Sequence, residues 1–295
     1  MKKTGFIAIV GRPNVGKSTL LNAILGEKVA IVSNKPQTTR NRIVGVLTKG
    51  ESQFVFVDTP GIHKPQNSLG DYMVDTANTS MKEADAVVLM ADAGRELTTV
   101  EENVIAYLKR SGVPGILVLN KTDLYDAVQI AETIKRYAAQ HDFAAVVPTC
   151  AKNGKQVDAV LAECEKLLAP SEWFFPEDML TDQPERQMAA EIIREKLLRT
   201  LNKEVPHGVA VVIEEFKDEG SLIRIRAEIF CEKASHKGII VGKNGAELKL
   251  VGTYAREDLE KLFGVKVYLN LWVKVKENWR DSRAAVGNFG YREEK

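Results

Sequence analysis

Short apolar runs recur along the first half of the chain, separated by longer stretches whose apolar residues return every three or four positions. The short runs predict buried strands, and the longer stretches predict amphipathic helices. The predicted strands are residues 6–10, 43–47, 54–57, 86–90, 116–119 and 144–147, and the predicted helices include 100–110, 127–140 and 157–168. Strands that alternate with helices predict an α/β domain with a doubly wound, mostly parallel sheet covered on both faces.

A different pattern begins near residue 187. It predicts a helix over 187–201, strands over 209–216 and 222–231, helices over 234–241 and 246–263, and a long last strand over 265–275. The helix over 246–263 carries a single apolar stripe, formed by Leu248, Val251, Ala255, Leu259 and Leu262. This order of elements predicts a second, smaller α+β domain.

Between the two patterns, prolines and the run Trp173-Phe174-Phe175 indicate a linker whose aromatic side chains pack between the domains. The predicted divisions are a first domain over 1–170, a linker over 171–186, a second domain over 187–281 and a tail over 282–295.

Charge and composition narrow the function. The chain has 295 residues, with 41 Lys and Arg against 40 Asp and Glu, so any nucleic-acid site must be a local basic patch. Three widely spaced cysteines, none in a Cys-x-x-Cys pair, indicate free thiols in a reducing compartment, which predicts a cytoplasmic protein. No apolar run reaches the roughly 18 residues of a membrane span.

The loop after the first strand carries the clearest chemical signal. Residues 11–18 read Gly-Arg-Pro-Asn-Val-Gly-Lys-Ser, which fits a phosphate-binding P-loop. Glycines let backbone N–H groups surround a triphosphate, Lys17 can reach its β and γ oxygens, and the Ser18 hydroxyl can bind Mg²⁺. In the next helix Leu20, Leu21 and Ile24 lie on one stripe, and Gly26 ends it.

Two further motifs follow strand ends, where parallel α/β sheets bind ligands. Asp58-Thr59-Pro60-Gly61 places a carboxylate where it can hold Mg²⁺, and Gly61 allows its N–H to approach a γ-phosphate. The polar loop over 33–42 can offer the metal a second hydroxyl.

Asn120-Lys121-Thr122-Asp123 predicts selection of guanine. A buried Asp123 carboxylate can accept hydrogen bonds from the N1–H and the amino group of guanine, a pair that adenine lacks. Asn120 can bond the base edge, and the aliphatic stem of Lys121 can stack on its face. Thr149-Cys150-Ala151 follows the last predicted strand of this domain and completes the set.

These motifs, in this order, make the first domain resemble the Ras-like GTPases of the translation-factor-related group. The resemblance implies that Thr39, with Thr38 as the second choice, binds Mg²⁺ and senses the γ-phosphate, and that the switches cover about 31–42 and 61–80. It gives Lys17, Thr39, Gly61 and Asn14 as catalytic residues and Ser18, Thr39 and Asp58 as metal ligands. The implied nucleotide-binding residues are Gly11, Arg12, Pro13, Asn14, Val15, Gly16, Lys17, Ser18, Thr19, Asp58, Thr59, Pro60, Gly61, Ile62, Asn120, Lys121, Asp123, Thr149, Cys150 and Ala151.

Ile62 departs from the Ras pattern, in which a glutamine at this position orients the attacking water. Isoleucine cannot hydrogen-bond water. A related group of GTPases shares such a hydrophobic residue, and members with a P-loop asparagine use K⁺ as a transition-state cation. We therefore predict slow intrinsic hydrolysis that K⁺ accelerates through Asn14, although a turn residue is the simpler interpretation of Asn14.

The second domain resembles a type II KH domain, which holds about four nucleotides of single-stranded RNA. The resemblance rests on Gly242-Lys243-Asn244-Gly245 between two helices, since an isolated Gly-x-x-Gly means little. In the last strand, Lys266, Tyr268, Asn270, Trp272, Lys274 and Lys276 alternate with apolar residues. Such a basic and aromatic face suits phosphates and unpaired bases. The predicted RNA-binding residues are Gly238, Ile239, Ile240, Gly242, Lys243, Asn244, Gly245, Lys274 and Arg280.

Taken together, the chain resembles a bacterial GTPase family that joins one such G domain to one type II KH domain. The resemblance implies hydrolysis of GTP to GDP with Mg²⁺, binding of the 3′ end of 16S rRNA, maturation of the 30S subunit, a monomeric state and peripheral association with the inner membrane. Three alternatives stay open. They are another ribosome-assembly or tRNA-modifying GTPase, a nucleotide-independent RNA-binding scaffold, and a P-loop ATPase, which Asp123 disfavours.

Overall fold

The computed structural model describes residues 1–201 and 205–292. The chain forms two compact units, one of residues 1–32, 39–65 and 70–182 and one of residues 33–38, 66–69 and 183–295. Residues 202–204 of the predicted RNA-binding domain and 293–295 of the predicted tail lie outside the described residues.

The first unit is built on a mostly parallel sheet with strand order β2-β3-β1-β4-β5-β6. Only β2 and the two-residue β7 run antiparallel to their neighbours. The strands are β1 Lys3–Val10, β2 Ile43–Lys49, β3 Ser52–Asp58, β4 Ala86–Asp92, β5 Gly115–Asn120, β6 Ala145–Pro148 and β7 Ala169–Pro170. The predicted doubly wound fold is confirmed.

Helices cover both faces of this sheet. They are α1 Lys17–Leu25, α2 Ser68–Glu83, α3 Thr99–Ser111, α4 Ala127–Ala138 and α5 Val157–Glu165. Alternate strand residues enter two different cores: Ile7 and Ile9 pack in one, and Ala8 and Val10 in the other. Burial on both faces explains why these strands read as continuous apolar runs in the sequence.

The second unit contains a three-stranded sheet of order β10-β9-β8, in which β10 is parallel to β9. Three helices, over residues 185–200, 234–241 and 246–263, pack against one face of that sheet and form its core. The elements are α6 Glu185–Thr200, β8 Ala210–Asp218, β9 Leu222–Cys231, α7 Ala234–Val241, α8 Ala246–Phe263, β10 Lys266–Val275 and α9 Arg283–Asn288.

One position of the predicted stripe on α8 is wrong. Val251, Ala255 and Leu259 are fully buried, but Leu262 is 37% exposed. The helix ends at Phe263, before the left-handed Gly264, and in its last turn Phe263 packs edge-on against Phe216 instead. A strict three-and-four spacing cannot anticipate which residue turns inward at a helix end.

The aromatic run of the predicted linker contacts the first unit itself, whereas the sequence predicted packing between domains. Phe174 stacks on Phe6 with ring centroids 5.2 Å apart, and Phe175 packs against the apolar face of β2 and β3. Buried Gln53 of β3 holds the segment, because its side chain accepts hydrogen bonds from the N–H groups of Phe174 and Phe175. A polar side chain within an apolar strand thus determines where these aromatic residues pack.

Candidate functional site

The P-loop connects β1 to α1, and its glycines occupy positions that no other residue fits. Gly11 and Gly16 have φ values of 150° and 105°. A Cβ atom on Gly11 would lie 2.2 Å from the carbonyl oxygen of Met90, and one on Gly16 would lie 2.3 Å from Nδ2 of Asn120. The backbone can therefore curve tightly around an anion at the start of a helix, where the helix dipole favours negative charge.

Lys17 is a buried cation inside this loop. Its Nζ donates to the carbonyl oxygens of Gly11 at 3.2 Å and Arg12 at 3.0 Å. Burial lowers the pKa of Lys17 from 10.5 to about 8, and the nearby Asp58 carboxylate partly opposes this shift. A phosphate brought to the loop would supply the negative charge that two carbonyl dipoles only partly provide.

A cluster of two hydroxyls and a carboxylate lies beside the loop. Ser18 Oγ is 2.6 Å from Asp58 Oδ2 and 2.8 Å from Thr39 Oγ1, and Thr39 Oγ1 donates to Asp58 Oδ2 at 3.4 Å. The Thr38 hydroxyl instead donates to the carbonyl oxygen of Lys35. Of the two candidate threonines, Thr39 is the one gathered with Ser18 and Asp58.

The chemistry of this cluster fits a hard divalent cation. Burial raises the pKa of Asp58 from 3.8 to about 6, against the lowering effects of Lys17 and the two hydroxyls. Its Oδ1 atom is buried and has no hydrogen-bond partner. A buried carboxylate oxygen without a partner, beside two hydroxyls, suits Mg²⁺, which takes one or two carboxylates together with hydroxyls, water and substrate phosphates.

The segment after β3 is pressed against the P-loop. Thr59 Oγ1 donates to the carbonyl oxygen of Ile9. The N–H of Ile62 donates to the carbonyl oxygen of Gly11 at 3.1 Å. A Cβ on Gly61 would lie 2.7 Å from backbone atoms of Pro13, so only glycine fits. The Ile62 side chain is half-buried against the core, where it cannot orient water.

Asn120 joins the P-loop to the loop after β6. Its Nδ2 donates to the carbonyl oxygen of Val15 at 2.8 Å, and its Oδ1 accepts from the N–H of Ala151 at 2.9 Å. The sequence predicted a contact with the base edge. The structure gives Asn120 a positioning role as well, and the second N–H of its amide remains for a base.

Asp123 lies in the short 3₁₀ turn after β5, and its side chain is exposed. The expectation of a buried Asp123 is therefore wrong, because the turn carries this residue beyond the end of the buried strand. The Cys150 thiol donates to Asp123 Oδ1 at 3.1 Å, which fixes one oxygen of the carboxylate. Thr149 is fully buried, and its Oγ1 bonds the carbonyl oxygen of Val147.

In the second unit, the Gly-x-x-Gly residues form an exposed turn between α7 and α8. Gly242 and Gly245 have φ values of 71° and 78°, and Lys243 and Asn244 project into solvent. A Cβ on Gly242 would lie 2.9 Å from the backbone nitrogen of Glu247, so this residue must be glycine. The backbone of the turn is thereby left accessible to a ligand.

A groove extends from this turn between α8 and the edge strand β10. Its walls carry a lysine, an arginine and an asparagine, whose side chains are hydrogen-bond donors. The lining residues are Gly245, Leu248, Lys249, Gly252, Thr253, Arg256, Tyr268, Leu269, Asn270 and Leu271.

Several predicted RNA-binding side chains lie outside this groove. Ile240 is fully buried in the core, so its side chain cannot contact RNA, whereas Ile239 is half exposed. Lys274 pairs with Glu228 at 2.5 Å on the sheet face opposite the helices, and Arg280 pairs with Glu232 at 2.6 Å. The alternation in the sequence places Lys274 on a strand. It cannot show that this lysine lies on a different surface from the groove beside the Gly-x-x-Gly turn.

Two family models match the chain in the order that the geometry suggests. Residues 6–121 match a model described as 50S ribosome-binding GTPase, and residues 204–280 match a KH domain model. Curated relatives match from end to end. The protein named GTPase Era of Ruminiclostridium cellulolyticum is 48% identical over 294 residues, which cover 99% of each chain. GTPase Era of Clostridium novyi is 49% identical over 99% of this chain and 100% of its own.

This chain belongs to the GTPase Era family. It is accordingly a GTPase, with a mostly parallel G domain followed by a KH domain.

Two solved Era structures share the whole fold. A point variant of Aquifex aeolicus Era bound to GDP·AlF₄⁻ is 42% identical, with a TM-score of 0.94 over 98% of this chain and 99% of its own. Era in complex with MgGDPNP and nucleotides 1506–1542 of 16S ribosomal RNA is 41% identical, with a TM-score of 0.95 over 99% of each chain. Across the described part of this chain, no helix is long and apolar enough to cross a membrane.

Two acidic residues that sequence reasoning missed support the nucleotide site. Asp92, at the end of β4, pairs with Nζ of Lys121 at 2.8 Å and with Nε of Arg95 at 3.2 Å. The pair with Lys121 directs the lysine stem that is predicted to stack on a base. The sequence did carry a signal for Asp92, because this residue ends a strand at the edge of the sheet where such folds bind ligands.

The second missed residue is Glu101, which is fully buried at the start of α3. Arg12 of the P-loop donates from Nε to Glu101 Oε1 at 2.5 Å. Glu101 also completes a capping box with Thr98. The spacing Thr-x-x-Glu predicts the capping box, but nothing in the local sequence indicates that the same carboxylate holds a P-loop arginine 89 residues away.

Proposed function

We propose that this GTPase is a nucleotide-controlled RNA-binding protein that holds the 3′ end of 16S rRNA and assists 30S subunit assembly. The observation that supports it is that one chain contains both a P-loop with a buried lysine and an exposed Gly-x-x-Gly groove. The proposed division of labour follows the predicted boundaries, with nucleotide chemistry in residues 1–170 and RNA binding in 187–281.

In this proposal Ser18, Thr39 and Asp58 hold Mg²⁺. When bound, the ion neutralises charge on the β- and γ-phosphates. The chain itself supplies the remaining stabilisation. Lys17 and the P-loop N–H groups bond the oxygens on which charge develops as water attacks the γ-phosphorus and the bond to the GDP oxygen breaks.

Ile62 leaves the attacking water without a side-chain partner at that position, so intrinsic hydrolysis is slow. We propose that K⁺ accelerates it, with Asn14 in the exposed, left-handed part of the P-loop as its ligand. Turnover measured in KCl and in NaCl at equal ionic strength tests this. Equal rates, or an Asn14→Asp variant that keeps the K⁺ response, contradict it.

The groove between α8 and β10 is the proposed RNA site. Type II KH grooves hold about four unpaired nucleotides, with the Gly-x-x-Gly backbone close to the phosphates. Lys249 and Arg256 would pair with phosphates, and Asn270 can both donate to and accept from a base edge. The related Era structure with a 16S rRNA fragment favours the small-subunit 3′ end as the target. A monomeric state and peripheral membrane association stay predictions.

The experiment is binding of a labelled single-stranded RNA that matches the 16S 3′ end, at one salt concentration, with GDP or with a non-hydrolysable GTP analogue. We expect tighter binding with the analogue, and loss of binding when Lys243 and Asn244 are both replaced by Asp. Equal binding with the two nucleotides would contradict the switch. Unchanged binding by the double variant would contradict the groove as the RNA site.

A further inference from the structure

Arg194 of α6 is a charged side chain that the fold buries completely. Its neighbours Ile193 and Leu197 on the same helix pack in the apolar core of the second unit. Burial by itself lowers the pKa of Arg194, but the nearby Glu191 carboxylate raises it, and the net result is a pKa above the ordinary value. The guanidinium therefore stays charged inside the protein, where a cation is tolerated only if it is paired with acceptors.

Two residues accept hydrogen bonds from this guanidinium. Nε donates to Glu191 Oε1 at 2.8 Å, and Nη2 donates to Glu191 Oε2 and to the backbone carbonyl oxygen of Thr38. Nη1 is buried and has no hydrogen-bond partner within residues 1–201 and 205–292. A buried N–H without a partner costs stability, and an apolar side chain of similar length would avoid that cost. Stability alone therefore does not explain an arginine at this position.

Thr38 ends a short turn that its own side chains close. Ser33 Oγ accepts a hydrogen bond from the N–H of Lys35 at 2.9 Å, and the Thr38 hydroxyl donates to the Lys35 carbonyl oxygen at 2.7 Å. Residues 33–38 belong to the same compact unit as Arg194. The turn thus has a defined shape, and Arg194 fixes the direction of its last carbonyl group.

The carbonyl group of Thr38 and the N–H group of Thr39 form one planar peptide unit. A hydrogen bond that fixes the carbonyl direction therefore also fixes the N–H direction and limits where the Thr39 side chain can reach. Thr39 is buried, and its hydroxyl is 2.8 Å from Ser18 Oγ and 3.4 Å from Asp58 Oδ2. Arg194 is thus bonded to the peptide group that leads into the candidate metal site.

Holding this peptide before a nucleotide arrives has a consequence for affinity. A loop that becomes ordered only on binding loses conformational entropy at that step, and the loss weakens binding. A loop that a buried guanidinium already holds avoids the loss. The benefit is confined to ligands that contact the held residue, which here is Thr39.

We propose that Arg194 is a positioning residue for the GTPase reaction. By holding the Thr38 carbonyl it keeps Thr39 beside Ser18 and Asp58, which strengthens binding of a nucleoside triphosphate with Mg²⁺ more than binding of the diphosphate. The difference arises because the diphosphate lacks a γ-phosphate. This inference rests on the proposed function, since it assumes that Thr39 binds Mg²⁺ and responds to the γ-phosphate.

The test replaces Arg194 by methionine, an apolar side chain of similar length. With Mg²⁺ present, Arg194→Met is expected to weaken binding of a non-hydrolysable GTP analogue about tenfold, the low end for a hydrogen bond from a charged donor, and to leave GDP binding within about twofold. In the nucleotide-free chain, trypsin cleavage after the buried Arg40 should become faster, because the loop is no longer held. If Arg194→Met lowers the unfolding midpoint, the same measurements are made with Glu191→Gln added, which removes the carboxylate left unpaired.

Arg186→Met is the matched control. Arg186 lies on the same helix, and its guanidinium also donates to backbone carbonyls, those of Ile213 at 3.1 Å and Glu214 at 3.0 Å. Neither carbonyl belongs to the loop over 33–42. This variant should bind both nucleotides and resist cleavage after Arg40 as the unmodified chain does.

Thr39→Ala separates the inference from the proposed function, because it removes the hydroxyl itself. It should weaken binding of the analogue and spare GDP; if it does not, the proposed role of Thr39 fails. If Thr39→Ala has this effect but Arg194→Met keeps the analogue-to-GDP affinity ratio of the unmodified chain, Arg194 does not position Thr39. An equal weakening of both nucleotides by Arg194→Met would also overturn the proposal, since it would indicate a general structural role.

Discussion

The nucleotide site and the proposed RNA surface of this protein are built in opposite ways. In the nucleotide site the charged groups Lys17, Asp58 and Glu101 are all buried and held by hydrogen bonds. On the proposed RNA surface Lys243 and Lys249 are exposed. A site that must hold one small anion with exact orientation uses preorganised, desolvated groups, whereas a surface that follows a flexible polymer uses solvated ones.

The largest expected effect is on GTP turnover and comes from replacing Lys17. Burial of this charged side chain is costly in the folded protein, but it places the cation inside the P-loop. Lys17→Met is expected to reduce GTP turnover by roughly 100-fold or more, because it removes the cation that faces the phosphates. The folded-state pKa of about 8 lies below 10.5, so the charged lysine opposes folding at pH 7. The thermal unfolding midpoint should therefore stay unchanged or rise.

Steady-state hydrolysis measures the turnover of Lys17→Met, and thermal unfolding of the same preparation measures its unfolding midpoint. Lys109→Met, at an exposed position on α3, serves as the control and should change neither. A clear fall in the unfolding midpoint of Lys17→Met would mean that the buried ammonium stabilises the fold.

The second effect concerns the support beneath the P-loop. Glu101→Ala leaves Arg12 without its carboxylate and removes part of the α3 cap, so we expect the free energy of unfolding to fall by about 3 kcal/mol. The KM for GTP should rise, because Arg12 no longer anchors the loop. Glu102→Ala, one residue along and exposed, is the control. Denaturant unfolding and kinetics measure the two effects, and a Glu101→Ala chain as stable as the control would show that the pair contributes little.

The third effect is a pH dependence. The value of kcat/KM should be highest between about pH 6 and 8, because Asp58 takes up a proton below about 6 and Lys17 loses its own above about 8. The free energy of unfolding should depend on pH in the opposite sense, rising on both sides of the window in which activity is highest. Each charge is disfavoured by burial, so protonation of Asp58 on the acid side and deprotonation of Lys17 on the alkaline side both relieve a cost of folding. A kcat/KM profile at constant ionic strength, with Mg²⁺ added only in equal amount to GTP so that Asp58 of the free protein carries no metal, tests this. A flat profile from pH 5 to 9 would contradict it.

The smallest effect lies on the RNA side. Lys249→Ala removes one exposed phosphate contact and should weaken RNA binding only severalfold, for all sequences alike, and lower the salt slope of log Kd by about 1. Lys261→Ala, exposed near the end of the same helix, should change neither. Titrations over a range of salt concentrations give the slope. A loss as large as that expected for Lys17→Met would remove the contrast between the two sites.

Motifs confined to adjacent residues could be predicted from sequence. The P-loop, the Gly-x-x-Gly turn and the positions of the strands along the chain depend on backbone geometry that glycine, spacing and hydrophobic period encode locally. The choice between Thr39 and Thr38 could not be made in this way. It depends on a contact with Asp58, which lies on a strand that the chain reaches only 19 residues later.

The sequence by itself determined the fold class, the guanine-nucleotide motifs and the presence of a KH domain, because each is written in contiguous residues. Tertiary structure alone decided that Glu101 anchors Arg12, that Asp92 directs Lys121, and that Lys274 lies away from the groove. It also decided that Phe174 and Phe175 pack on the first unit. The physical reason is that packing and ion pairing depend on which distant residues the fold brings within a few ångströms, and local periodicity carries no record of those partners.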